Sequence, residues 1–156
     1  MLVVVIIAIA AMVAIPMIGA TSSMQIRSAA NMIAADLEYA KSMAISRQKN
    51  YSVVFNSVGG YYEIRDPNGI IKHPVKKGFD YKVAFGSDSR LDKVVIDNVA
   101  FDPGSSNTVT FDYLGSPYSG SGVSNPLNSG TISIRAGDFT ETINVEPVTG
   151  FISIAE

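Results

Sequence analysis

The sequence predicts an α+β chain: a long N-terminal α-helix, transmembrane in its first part and amphipathic in its second, followed by an antiparallel β-sandwich-like domain. Three observations lead there. Residues 1–20, MLVVVIIAIAAMVAIPMIGA, carry no charge; helical spacing of apolar residues then continues with no Gly or Pro between Thr21 and Arg47. From Tyr51 onward the chain breaks into short runs rich in Val, Ile, Thr and aromatics, divided by turn residues. The expected divisions are 1–21 for the transmembrane part of the helix, 22–49 for its amphipathic part and 50–156 for the β domain.

A helix from Met1 to Ala20 has a length of roughly 30 Å, the thickness of a bilayer's hydrocarbon core. Leu2, Val3, Val4, Val5, Ile6, Ile7, Ile9, Val13 and Ile15, with Ile18, contribute roughly −3 to −6 kcal/mol on an insertion scale, and nothing charged opposes them. Pro16 removes one backbone donor, so a kink or weak point is expected there. Two other readings compete. A secretory signal peptide cut after Ala20 lacks its basic start, and the run is long for one. A buried core helix needs more partner surface than so small a domain offers. A single membrane pass is the expectation.

Beyond Ala20 the pattern changes character without a break. Ile26, Ile33, Leu37, Ala40 and Ala44 recur on one face, while Arg27, Asn31, Asp36, Glu38, Lys41, Ser42 and Arg47 fall between them. Ile33, Leu37, Ala40 and Ala44 are therefore expected to pack on the β domain. Glu38 and Lys41 stand three apart and can pair. The helix should end near Gln48 to Asn50, where the apolar period becomes two.

The strand candidates are YSVVFN, YYEIRD, GIIKH, DYKVAFG, KVVIDNVAF, NTVTFDY, TISIRA, FTETINV and FISI. Gly59-Gly60, Pro67-Asn68-Gly69 and Asp102-Pro103-Gly104 are turn signals between them. Close strand spacing favours an antiparallel sandwich over a parallel sheet with crossover helices. Residues 115–130, GSPYSGSGVSNPLNSG, have only Tyr118, Val123 and Leu127 as apolar interruptions and are expected to form a flexible surface loop.

Composition narrows the function classes. A net charge of −2 gives no overall electrostatic footprint for nucleic acid, so no such partner is expected. The local basic cluster Lys72, His73, Lys76 and Lys77, with Tyr61, Tyr62 and Tyr81 nearby in sequence, reads as a solvated rim. Without cysteine there is no disulfide, thiolate nucleophile or cysteine metal site. His73 is the one histidine, and no nucleophile elbow accompanies it. Asp66, Asp97, Asp102 and Asp112 could supply a carboxylate pair, but Asp66 and Asp102 precede proline in turns, where aspartate caps backbone. A calcium loop around Asp66 and Asn68 lacks further spaced acids. No catalytic residue, cofactor or metal is expected, and the chain reads as no enzyme.

The order of apolar helix, amphipathic helix and β domain resembles the type IV pilin and pseudopilin superfamily. MLVVVIIAIAAMVAIP looks like that superfamily's N-terminal segment, ending in its proline at Pro16. Residues 35–47, ADLEYAKSMAISR, followed by the strand Tyr51 to Phe55, are similar to the helix-to-strand signature of the H-class minor pseudopilins of type II secretion and of the related fimbrial T and U minor pilins. Phe111-Asp112-Tyr113-Leu114-Gly115 and the closing 145–152 stretch, VEPVTGFI, look like that group's later strand motifs.

The resemblance implies a structural role. The apolar helix would hold the subunit in the bacterial inner membrane with its β domain in the periplasm, then pass from lipid to the helices of other pilin-like subunits, minor and major, in a filament. Ala8, Ala10, Ala11 and Ala14 would allow close helix approach. Such families begin with a basic leader, a Gly-Phe-like junction and an early glutamate, so prepilin peptidase is an implied partner. Cleavage, N-methylation and the glutamate's pairing attach to no residue here. Because the charges nearest the membrane, Arg27, Lys41, Arg47 and Lys49, would draw the β domain inward, a lost leader of several residues is expected. The alternative is a membrane-anchored or secreted envelope β domain that binds a surface polymer or protein ligand.

Overall fold

A computed structural model describes residues 21–155 with their side chains and assigns the helix back to Leu2. Helix α1, Leu2–Arg47, runs through the amphipathic segment without interruption. It stops at Arg47 because Gln48 turns to φ 55° and Lys49 N–H reaches the Ala44 carbonyl at 3.3 Å, the six-to-one bond of a Schellman cap. The end falls slightly earlier than the change of period suggested. The expected spanning segment and the expected weak point at Pro16 lie outside the side-chain-described residues; among the described residues no helix is long and apolar enough to cross a membrane.

Two antiparallel sheets follow. One combines β1 (Tyr51–Asn56), β2 (Tyr61–Asp66), β3 (Gly69–Ile70), β4 (Lys82–Ala84), β6 (Thr108–Phe111) and β7 (Pro117–Ser119). Its order is β3-β2-β1-β6-β7, with β4 also on β2. The other combines β5 (Val95–Asp102), β8 (Ser129–Ala136), β9 (Phe139–Val145) and β10 (Ile152–Ala155) in the order β10-β9-β8-β5. The fold is α+β, as the residue pattern predicts.

Alternation places the core. In β1, Tyr51, Val53 and Phe55 turn inward; in β8, Ile132, Ile134 and Ala136 do the same. Phe55 meets Tyr62 at 5.5 Å between ring centroids and Phe101 of the other sheet at 6.0 Å, so aromatic contact joins the sheets. Helix α1 lies on β1, β8, β9 and β10 and completes one continuous core. Each fully buried Ile or Leu there stabilises the fold by about 1.5–3 kcal/mol.

The flexible-loop expectation for 115–130 is corrected. Pro117–Ser119 form β7, which pairs with β6, and Leu127 is buried. Leu127 N–H donates to the Pro117 carbonyl and Ser119 N–H to the Asn125 carbonyl, folding the segment back on itself. Ser119 Oγ lies 2.7 Å from the carbonyl oxygens of both Phe101 and Pro103, which fastens β7 to β5 of the other sheet. A Gly- and Ser-rich composition hides such anchors because one buried Leu and one hydroxyl suffice. Its longest exposed stretch is residues 121–126.

Candidate functional site: the helix and its flanks

Three polar ties fix α1 at successive levels. Gln25 Nε2 donates to Asp92 Oδ1 at 3.1 Å while its Oε1 accepts Lys93 N–H at 3.2 Å. Asp36 accepts hydrogen bonds from Tyr62 at 2.6 Å and Tyr81 at 2.7 Å. Lys41 Nζ donates to the Gly150 carbonyl at 3.0 Å and pairs with Glu38 at 3.1 Å. Charge-assisted bonds of this kind resist both sliding and rotation of the helix because each partner sits on a different part of the β domain.

The middle tie has its own electrostatics. Burial raises the Asp36 carboxyl above its ordinary value, against the opposing effect of its two tyrosine donors. Burial, together with the neighbouring Asp36, holds both Tyr62 and Tyr81 hydroxyls well above the usual phenol value. Tyr81 is stacked between His73, 4.6 Å away, and Tyr39, 5.5 Å away. His73 Nδ1 accepts the backbone N–H groups of Val75 and Lys76, each at 3.1 Å, so the histidine closes a turn.

Ile33, Leu37, Ala40 and Ala44 each have no exposed surface, as do Ala29 and, nearly, Ile26 and Ala30. Ala29 and Ala30 were absent from the sequence-read stripe, though Ala29 stands three residues beyond Ile26 and Ala30 three before Ile33. The placement of Leu2, Val3, Val4, Val5, Ile6, Ile7, Ile9, Val13, Ile15 and Pro16 toward any partner lies outside the side-chain-described residues. On the solvent side of α1, Thr21, Ser28, Ala35 and Ser42 recur at seven-residue intervals and are exposed.

The aspartates considered for chemistry are dispersed. Asp66 Oδ1 caps Asn68 N–H; Asp112 Oδ1 accepts Leu114 and Ser116 N–H, each at 2.9 Å; Asp102 meets Asn128; and Asp97 meets Arg135. Each serves its own turn or strand pair. Among the described residues no group of His, Asp and Glu could hold a metal ion. Of the basic cluster, Lys72 is paired with Asp80 and His73 is taken up by its turn, which leaves Lys76, at the rim of a groove beside α1, and the exposed Lys77 outside it.

The later motif segments converge at the upper end of α1. Asp112 organises the 111–116 turn, and Gly115 has φ 85° at a point where a Cβ would come within 2.9 Å of Ile45. Gly150, at φ 58°, faces the Gly115 carbonyl in the same way. Two turns separated widely in sequence therefore close over one helix end, and both require glycine.

That shared geometry accompanies a family match: the model of type II transport protein GspH matches residues 29–149. The chain belongs to the GspH family. Its fold is similar to that of the type IV minor pilin FimU of Pseudomonas aeruginosa strain PAO1, at TM-score 0.54 and 17% identity over 84% of this chain and 88% of that one. A second crystal form of FimU gives TM-score 0.52 and 18% identity, covering 83% and 92%. The minor pseudopilin EpsH from the type 2 secretion system of Vibrio cholerae gives TM-score 0.58 and 12% identity, covering 84% and 96%. No curated protein sequence matches the chain. As a GspH-family chain, it is a pilin-like subunit of the kind used in type II secretion or type IV pili.

Proposed function

We propose that this GspH-family chain is a minor pseudopilin or pilin subunit that is held in the bacterial inner membrane by residues 1–21 and presents residues 50–156 in the periplasm. It enters a filament through α1 and contacts other pilin-like subunits there, supporting secretion or pilus assembly. The role is structural, with no catalytic step. The observation that carries it is one continuous helix, Leu2–Arg47, whose Ile26, Ile33, Leu37, Ala40 and Ala44 are sunk into the sheets and whose first twenty residues carry no charge in the sequence. An apolar lower half is similarly solvated by lipid tails and by packed helices, so transfer between them costs little while close packing is gained. Maturation by prepilin peptidase belongs to the same reading.

The test uses the full chain in bacterial membranes. Wild type should fractionate with the inner membrane and co-purify with pilin-like subunits of its own assembly system, and Ile7→Lys should reduce both. A full-length chain that stays freely soluble, or that loses residues 1–20 to signal peptidase, overturns the proposal.

A further inference from the structure

Alternation along β9 turns Glu141, Ile143 and Val145 inward on the face that packs on α1. Ile143 and Val145 are ordinary core residues, but Glu141 puts a carboxylate where the pattern calls for an apolar side chain. It is 9% exposed, and among the described residues no hydrogen-bond donor reaches its Oε2. No other buried side-chain polar atom among the described residues is left in that state. A buried charge without a partner is costly, so this one asks for a donor that the fold itself does not bring.

Glu141 lines a pocket of about 250 Å³ together with Arg27, Ala30 and Asn31 of α1 and Ile154 of β10. β10 is the edge strand of its sheet, and Arg27 and Asn31 are exposed, so the pocket opens to solvent between the helix and the sheet edge. Arg27 has an interaction of its own and does not hydrogen-bond Oε2. Ala30 and Ile154 give the pocket apolar walls, and the Asn31 carboxamide adds an acceptor on its exposed side. The arrangement suits one long side chain with a positive end, its methylenes against the walls and its charge against the carboxylate.

Height along the helix decides what can fill it. Arg27 and Asn31 stand about 9 and 15 Å beyond Thr21, where the expected spanning segment ends. The headgroup layer of one leaflet is only about 5–7 Å deep. Lipid amines therefore end below the pocket, and a neighbouring subunit is what stands beside it.

We infer that the pocket receives a lysine side chain from a different pilin-like subunit, whose ammonium pairs with Glu141. The inference rests on the filament reading above and names one side-to-side contact within it. Lysine fits better than arginine because its stem is narrow and its head is a compact point charge, whereas the flat guanidinium fork needs acceptors arranged in its own plane. The carboxylate destabilises the free subunit, and pairing in a water-poor contact offsets that cost. Glu141 thereby disfavours neighbours that present no cation at this level.

The test applies a water-soluble carbodiimide, which joins a carboxylate to a primary amine in contact with it, to bacterial membranes holding the full-length chain and its own assembly system. An amide bond between Glu141 and a lysine of a different pilin-like subunit is expected, located by mass spectrometry of the cross-linked peptide. Glu141→Gln keeps the side chain's shape and removes its charge. It should abolish that cross-link and lower co-purification of the cross-linked subunit about tenfold, while the urea midpoint of the full chain in detergent stays equal or rises. A lower midpoint with capture unchanged overturns the inference. So does a Glu141 adduct with a lipid amine, with a lysine of the same chain or with a second copy, or no adduct at Glu141 while other carboxylates react. If wild type still co-purifies pilin-like subunits in such a case, only the lysine contact fails; if that capture is lost as well, the filament reading fails with it.

Discussion

Tyr62 of β2 donates its hydroxyl proton to Asp36 of α1 across 2.6 Å, in a place where Tyr62 itself has no exposed surface. This is the point at which the helix and the first sheet are joined by something other than apolar packing. Asp36→Ala leaves that buried hydroxyl without its acceptor and is expected to cost about 2–3 kcal/mol, measured by urea unfolding of the full chain in detergent. Tyr62→Phe should cost about half as much, because Asp36 keeps Tyr81.

The same carboxylate sets a pH dependence. Its folded value is raised above 3.8, so the folded chain binds a proton more readily than the unfolded chain in the window just above that value. The stability from this proton is fully present below 3.8 and is lost as pH rises through the raised folded value. Comparing wild type with Asp36→Asn across that window should isolate it: the wild type gains relative stability on acidification and the variant does not. A difference independent of pH would show that the carboxyl is not the titrating group.

Val148 holds φ 65° with its side chain 79% exposed. A β-branched residue in that region is strained by about 1–2 kcal/mol, and no buried contact compensates. Val148→Gly is expected to raise stability by about 1 kcal/mol in the same unfolding assay.

Gly150 presents the opposite case. At φ 58° a Cβ would approach the Gly115 carbonyl to 2.9 Å, and the Gly150 carbonyl is the acceptor for Lys41. Gly150→Ala should destabilise by about 1–3 kcal/mol and increase amide exchange around both 112–116 and 147–151. Exchange confined to the mutated turn would show that the two turns are not mechanically joined.

Limited proteolysis distinguishes the anchored from the open part of the Gly- and Ser-rich segment. Cleavage should fall within 121–126 and spare Pro117–Ser119 and Leu127, since only the former stretch is continuously exposed. Cuts spread evenly over 115–130 would contradict the pairing of β7.

Local pattern alone determined the helix, most of the strands and the division between them. Apolar spacing of three and four places Ile33 and Leu37 on one face, and the β-branched and aromatic run of residues 51–56, closed by turn residues, marks β1 wherever the rest of the chain lies. The 145–152 stretch and the 111–115 turn carried the family resemblance as short motifs, before anything placed them side by side. Only the tertiary structure decided that Asp36, read as part of the wet face, is a half-buried tie, because its partners are 26 and 45 residues away. It likewise decided that Leu127 and Ser119 anchor an apparent loop. Periodicity reports which side of its own element a residue occupies. It carries no information about which other element arrives there, since that depends on sheet pairing between residues far apart in the chain.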